Sequence, residues 1–241
     1  MARRARLELA GVPLHVIQRG NNRALCFLAD GDRHMYLKFL GDAAARHRCA
    51  VHAYVLMPNH VHLLVTPTEP GAVAAMMQDL GRRYVRLFND IHERTGTLWE
   101  GRYKAAMVDT ERYFLTCQRY IELNPVRARL VDHPASFRWS TYRHYALGAK
   151  NPLVVAHELV LRLATGETAR REAYTALFDE PLGAEALDKI RSCTNKGWAI
   201  GTEEFVRWIE TALGRPAKAP RRGRPKKSMP EAKDATTEML I

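Results

Sequence analysis

The stretch YVLMPNHVHLLV, residues 54–65, decides the fold, because it has the pattern of two strands joined by a Pro-Asn turn. Alternate side chains of a strand point to opposite faces of a sheet. In the second strand, the apolar residues therefore face a core, and His60 and His62 lie side by side on the other face. Two neighbouring imidazoles on a rigid strand suit a divalent metal ion. Taken alone, such a pair is more often structural or solvated than ligating.

The segments on either side of this stretch alternate between strand and helix patterns. We predict strands at 12–19, 50–57, 60–66 and 103–108, and helices at 30–48, 68–94 and 110–123. The order β-α-β-β-α-β-α predicts a ferredoxin-like α+β fold, which is an antiparallel sheet with helices on one face. The other face of the sheet is then free to form a site.

The character of the sequence changes after residue 132. Residues 133–214 have the pattern of several short helices and predict a small helical appendix. Residues 215–241 are rich in Pro, Ala, Lys and Arg without an apolar period, which predicts a disordered basic tail. We therefore divide the chain into a core domain at 1–132, the appendix and the tail.

The composition favours a polyanionic partner. The 241 residues include 37 Lys and Arg against 26 Asp and Glu, a formal net charge of +11. Nucleic acid is a better match than a membrane, because no apolar run reaches the length of a spanning helix. The four cysteines are scattered without a Cys-x-x-Cys pair, which argues against a zinc ribbon or a disulfide framework and favours a cytoplasmic location.

The predicted third helix supplies the rest of a candidate site. Tyr120 and Asn124 are four residues apart and therefore share a helix face. If this face packs across the histidine-bearing sheet face, His60, His62 and Asn124 are candidate metal ligands, and Tyr120 lies beside them. A Tyr hydroxyl can attack a phosphodiester that a metal ion polarises and orients, which leaves a phosphotyrosine ester and a free 3′-hydroxyl.

Simpler roles exist for both of these helix residues. Tyr120 lies at the edge of an apolar stripe, where a Tyr is more often part of the core. Asn124 precedes Pro125, and this pair is typical of the N-cap and first position of a helix. Capping and metal binding compete for the same side-chain oxygen, so both interpretations stay open.

Three motifs together resemble a known family. The stretch MPNHVHLLV at 57–65 is similar to the HUH motif (His, hydrophobic, His) of single-tyrosine transposases. The stretches GTLWEGRY at 96–103 and RYIELNPVRA at 119–128 resemble the branch called REP-associated tyrosine transposases. The similarity extends over more than half of the chain.

The resemblance implies a metal-dependent endonuclease and strand transferase for single-stranded, hairpin-forming DNA repeats. Its cofactor would be Mg²⁺ or Mn²⁺, and its intermediate a 5′-phosphotyrosine. The core domain would be catalytic, with Tyr120 as nucleophile and with His60 and His62 as metal ligands. Asn124 stands where related insertion-sequence transposases have Gln, one methylene longer, as third ligand. Tyr113, seven residues before Tyr120, is a reserve nucleophile.

Two groups of arginines outside this site are candidate DNA contacts: Arg82, Arg83 and Arg86 on the second helix, and Arg221, Arg222 and Arg224 in the tail. The first group is equally well explained as a solvated surface. The second group includes the motif Arg-Gly-Arg-Pro, which resembles an AT-hook. In such a motif, two Arg follow the narrow minor groove of A·T-rich DNA. A generic basic tail is the alternative.

Two alternatives to a DNA strand transferase stay open. A non-catalytic DNA-binding regulator on the same fold explains the charge and the tail equally well. A replication or conjugation initiator uses related His-x-His chemistry, but the chain lacks the Gly-x4-Gly-Lys loop of the helicase modules that usually accompany such proteins. A homodimer and a monomer are both compatible with the sequence.

Overall fold

The fold is built on a four-stranded antiparallel sheet, seen in a computed structural model that describes residues 5–219. The core elements, in chain order, are β1 (Leu14–Arg19), α1 (Asp30–Arg46), β2 (Cys49–Met57), β3 (His60–Pro67), α2 (Ala72–Ile91), β4 (Lys104–Met107) and α3 (Thr110–Glu122). The strands lie in the order β2-β3-β1-β4, and every neighbouring pair is antiparallel. This arrangement confirms the predicted ferredoxin-like α+β fold.

One face of the sheet packs against α1 and α2. Val16, Val61, Leu63 and Val65 point to this side and are completely buried. The second helix presents a continuous apolar stripe to them, because residues three or four apart share one helix face. The buried residues of this stripe are Val73, Met76, Met77, Leu80, Tyr84 and Phe88. The predicted alternation of β3, with its apolar residues in this core, is confirmed.

The start of α2 differs from the prediction by four residues. The helix begins at Ala72 because Gly71 has a φ of 88°, a left-handed conformation that favours glycine. Its first turn is held by Glu8, whose carboxylate accepts a hydrogen bond from the Val73 N–H at 3.0 Å. The chain between β3 and α2 is therefore a turn, and the predicted helix was too long at its N-terminus.

The other face of the sheet is covered by α3 and by the C-terminal helices. These helices are α4 (Asn124–Arg127), α5 (Tyr142–Leu147), α6 (Glu158–Leu161), α7 (Glu167–Ala176) and α8 (Ala184–Lys196), whereas α9 (Glu203–Leu213) places Val206 and Ile209 in the first core. Ala53, Val55, Leu64 and Ala106 of the sheet are fully buried in a second core, together with Ile190 of α8. We expected this face to be free, but strands with apolar side chains on both faces need cover on both. No helix within residues 5–219 is long and apolar enough to cross a membrane.

Residues 215–219, which we placed in the basic tail, are packed against the rest of the chain. Ala217 is fully buried, and its N–H donates a hydrogen bond to the Glu210 carboxylate at 2.9 Å. The Arg215 guanidinium donates to the backbone carbonyls of Ala5 and Arg6. Residues 220 to 241 lie outside the described residues. The division of the chain at residues 132 and 214 stays a prediction.

A buried carboxylate joins α3 to the C-terminal helices. Glu122 is inaccessible to solvent and accepts hydrogen bonds from the Thr141 hydroxyl at 2.6 Å and the Tyr174 hydroxyl at 2.7 Å. Gln118 donates in turn to the Tyr174 oxygen at 2.8 Å. Burial raises the pKa of Glu122 to about 7, because the charged form loses its hydration, and the hydrogen bonds offset only part of this effect.

We expect Glu122→Gln to remove a pH dependence of stability. The pKa of Glu122 is raised from 4.5 to about 7 in the folded protein, so the folded state holds the proton more tightly and stability falls as the pH rises through this window. Relative to the variant, the wild type should lose on the order of 3 kcal/mol of unfolding free energy across that window. Urea unfolding at several pH values measures this difference.

The control for this experiment is Glu111→Gln, which changes an exposed carboxylate on the same helix. The unfolding free energy of this variant should differ from that of the wild type by the same amount at every pH. If the difference in unfolding free energy between the wild type and Glu122→Gln is also constant with pH, the prediction is wrong.

Candidate active site

His60 and His62 lie on the second sheet face, on β3. The register pairs His60 with Arg19 of β1 and His62 with Ile17. His62 is buried and His60 is half-buried, and the centroids of their rings are 5.1 Å apart. The strand therefore presents two adjacent imidazoles, as its alternation predicts.

The end of α3 brings Tyr120 and Asn124 to these histidines. The Tyr120 ring lies edge-on to the His62 ring, with 5.7 Å between their centroids. The Asn124 side chain lies near the His60 ring and raises its pKa, an effect smaller than the opposite effect of burial. All four residues line one cleft of about 320 Å³. Because the histidines and the tyrosine belong to the same chain, this geometry needs no second subunit.

The Nδ1 atom of each histidine is held by a neighbouring side chain. Nδ1 of His60 lies 2.7 Å from Oδ1 of Asn59, and an amide oxygen only accepts, so this nitrogen carries the proton. Nδ1 of His62 lies 2.8 Å from Nε2 of His15. Nε2 is then the nitrogen that each histidine offers to a ligand, and metal-binding histidines are usually held through their second nitrogen in this way.

His15 and Thr194 are site residues that sequence reasoning missed. Nδ1 of His15 lies 2.8 Å from the Thr194 hydroxyl on α8. Thr194, His15 and His62 are 2%, 1% and 3% exposed and thus form a buried chain of hydrogen bonds. A signal existed for His15, because it alternates with Leu14 and Val16 of the first core and so points to the same sheet face as His62.

Burial keeps the three imidazoles neutral. It lowers the pKa of His60 to about 4 and that of His15 to about 3, and the pKa of His62 falls well below its usual value. The positive charges of Arg19 and Arg127 act in the same direction. At neutral pH the rings are therefore uncharged, as coordination of a metal ion requires.

Asn124 does not cap the helix that follows it. α4 begins at Asn124, its N-cap position is Leu123, and no side-chain capping bond is present. Nδ2 of Asn124 is buried and has no hydrogen-bond partner among the described residues. A buried donor without a partner is uncommon, and here it is open to a bound group that accepts a hydrogen bond. The structure therefore gives no support to the capping alternative.

Arg127 is a further cleft residue that sequence reasoning did not single out. Its guanidinium carbon lies 4.2 Å from the centroid of the Tyr120 ring, and Nη2 donates to the Tyr120 backbone carbonyl at 2.6 Å. Burial lowers its pKa to about 10, so the side chain is still a cation at neutral pH. Nη1 is buried and has no partner within residues 5–219. A cation with an unused donor beside Tyr120 suits a phosphate oxygen.

The donor set of the cleft fits a divalent cation only together with an anionic ligand. In the part of the chain that the structure describes, no group of three His, Cys, Asp or Glu side chains is placed to hold a metal ion. The cleft instead offers two imidazoles and one amide, all neutral, and is also lined by Arg19, Arg127 and Arg191. A phosphodiester would supply the negative charge that these residues lack.

The remaining predicted DNA contacts lie away from the cleft. Arg82, Arg83 and Arg86 are on α2, which packs on the opposite face of the sheet. Arg83 is paired with Asp42 at 2.7 Å, so part of this basic edge is neutralised. The role of these three residues in DNA binding stays a prediction. Three predicted contacts lie outside the described residues: Arg221, Arg222 and Arg224.

Comparisons with known proteins relate mainly to the core of the chain. Residues 9–124 match the sequence model of a family described as IS200-like transposases. A solved REP-associated tyrosine transposase bound to a REP hairpin shares the fold over 65% of this chain and 92% of its own, with 17% identity and a TM-score of 0.52. A Deinococcus radiodurans R1 protein assigned as a transposase matches 50% of this chain and 96% of its own, with 27% identity and a TM-score of 0.36. No curated protein matches the chain.

Proposed function

Residues 9–124 match the IS200-like transposase family, and from this match we propose that the chain breaks and rejoins single-stranded DNA through a covalent bond to Tyr120. A transposase domain makes the protein a DNA-processing enzyme. The observation that carries the finer proposal is the cleft in which Tyr120 lies beside His60, His62 and Asn124. A nucleophile and a set of metal donors share this one concave site.

In the proposed reaction, the Tyr120 oxygen forms a bond to phosphorus while the bond from phosphorus to the 3′ oxygen of the preceding nucleotide breaks. The phenol loses its proton, and the departing 3′ oxygen takes one up. One DNA end is then a 5′-phosphotyrosine ester, and the other is a free 3′-hydroxyl. The ester keeps the energy of the broken bond, so a new 3′-hydroxyl can reverse the step without ATP.

The other cleft residues bind and orient the phosphodiester. Arg127 offers the unused Nη1 donor beside Tyr120, and Asn124 offers the unused Nδ2 donor. His60 and His62, held neutral and fixed through Nδ1, would bind a divalent cation, Mg²⁺ or Mn²⁺, together with the Asn124 oxygen. When bound, such a cation supplies positive charge to the phosphate.

We propose hairpin-forming single-stranded repeats as the substrate, because the solved REP-associated transposase of the same fold is bound to a REP hairpin. The net charge of +11 and the arginines of the cleft suit this polyanion. A homodimer is compatible with the proposal, although the cleft is formed within one chain. The test is to incubate the protein with labelled hairpin-forming single strands and a divalent cation, and to look for a denaturant-resistant protein–DNA species.

We expect stronger cleavage with Mn²⁺ than with Mg²⁺. Mg²⁺ prefers oxygen ligands, whereas Mn²⁺ accepts imidazole more readily, and His60 and His62 are two of the three protein donors. Cleavage is measured as each metal ion is titrated at a fixed DNA concentration, and Mn²⁺ should give the lower half-maximal concentration. Equal or weaker cleavage with Mn²⁺ would contradict the assignment of both imidazoles as ligands.

A further inference from the structure

A basic groove continues from the cleft along the edge strand β4 to the end of α8. The cleft shares Arg19 and Asn195 with a small adjoining recess that is also lined by Arg102 and Lys104. That recess shares Arg102, Lys104 and Asn195 with a larger concavity of about 520 Å³, which extends to Trp198. The recess and the larger concavity thus form one path away from the cleft, which we call the β4 groove.

The β4 groove carries positive charge that described carboxylates do not neutralise. Arg102, Lys104 and Lys196 are exposed, and none of them forms an ion pair within residues 5–219. Lys104 donates to the neutral Asn195 side chain at 3.0 Å, which holds its ammonium group between β4 and α8. Glu100 is the one acidic residue that the structure places in the lining. Such a concave basic path attracts a polyanion.

We propose that the β4 groove binds the single-stranded DNA flank next to the phosphodiester that is held at Tyr120. This inference rests on the proposed function, because it takes the scissile phosphate to lie in the cleft. Successive phosphates of the flank then meet Arg102 and Lys104, and the groove continues from these two residues toward Lys196 at the end of α8. A basic groove that follows the backbone is typical of proteins that bind a single strand without reading its sequence.

A single strand fits this path better than a duplex. The recess between the cleft and the larger concavity has a free volume of about 20 Å³. A flexible strand can pass over so narrow a place, whereas a rigid duplex cannot follow it into the cleft.

The test is a binding experiment in the Tyr120→Phe background, where no cleavage interferes. The double variant Arg102→Glu, Lys104→Glu should bind a hairpin that carries a single-stranded extension of about ten nucleotides at least about tenfold more weakly. Its affinity for the same hairpin without an extension should be unchanged. Lys38→Glu reverses one exposed charge on α1, on the other side of the sheet, and should alter neither affinity.

Two substrates carry the single-stranded extension, one on the 5′ side of the hairpin and one on the 3′ side. A loss of affinity for only one of the extended hairpins supports the proposal and shows which flank lies in the groove. Equal losses with and without an extension, or no loss at all, would overturn it. The alanine pair Arg102→Ala, Lys104→Ala should give a smaller selective loss. The covalent adduct tests the catalytic proposal, and the affinity for the extended hairpin tests the groove. If the wild type forms no adduct, the catalytic proposal fails, but the loss of affinity in the double variant can still be observed. The two failures are therefore distinguishable.

Discussion

Tyr120→Phe is expected to abolish the covalent protein–DNA adduct and to lower cleavage by about a thousandfold or more, while DNA binding persists. The substitution removes only the hydroxyl that attacks phosphorus. The ring keeps its packing against the Arg127 guanidinium, 4.2 Å from its centroid, and against the His15 and His62 rings. The fold and the affinity for DNA should therefore stay close to those of the wild type.

The adduct is measured on a denaturing gel with a labelled single strand, and binding is measured by fluorescence anisotropy. Tyr113→Phe is the matched control, because Tyr113 lies on the same helix, outside the cleft lining, and its hydroxyl accepts a hydrogen bond from Lys189 at 2.9 Å. This variant should cleave like the wild type. If the adduct survives Tyr120→Phe and disappears in Tyr113→Phe, the nucleophile is Tyr113. If the wild type forms no adduct on any hairpin, a non-catalytic regulator is favoured.

Local periodicity was enough to predict the core elements and four of the residues that line the cleft. His60 and His62 are two positions apart on a strand, and Tyr120 and Asn124 are four apart at the end of a helix, so each pair shares a face. The packing of α3 across the face of the sheet that carries the histidines was a condition of this prediction, because the ferredoxin-like element order does not fix the position of a third helix. The structure brings these two faces together in one cleft.

Contacts between segments far apart in the chain could not be predicted in this way. Thr194 is 179 residues from His15, and nothing in the pattern of α8 distinguishes this threonine from its neighbours. The contact of His15 with His62 depends on the β1–β3 register, which is a property of two strands together. Likewise, buried strand residues such as Ala53 and Val55 indicate that the second face is covered, but not which helices cover it.

Thr194→Val is expected to lower both cleavage and divalent-cation affinity by about 10- to 100-fold, and Thr194→Ser to restore them. We assign the protons so that Nδ1–H of His15 donates to the threonine hydroxyl and Nδ1–H of His62 donates to Nε2 of His15. Nε2 of His62 then carries a free lone pair. Valine has nearly the same shape as threonine but accepts no hydrogen bond.

Without that acceptor, His15 avoids a buried unpaired N–H by keeping its proton on Nε2, from which it donates to Nδ1 of His62. The proton of His62 moves to its own Nε2, and the lone pair that would bind a cation is lost. The ¹⁵N NMR chemical shifts of the ring nitrogens in the metal-free protein report the His62 tautomer independently of activity. His62 should be protonated on Nδ1 in the wild type and in Thr194→Ser, and on Nε2 in Thr194→Val.

The control for this experiment is Ser192→Ala, which removes an exposed hydroxyl from the same helix and should leave the His62 tautomer unchanged. A Thr194→Val protein that is less active but keeps the wild-type tautomer would show that the hydroxyl contributes only through packing. A shifted tautomer with unchanged cation affinity would show that His62 is not a ligand. Either result would contradict the proposal that Thr194 on α8 acts on cation binding through His62, because this proposal requires that the proton of His62 is held on Nδ1.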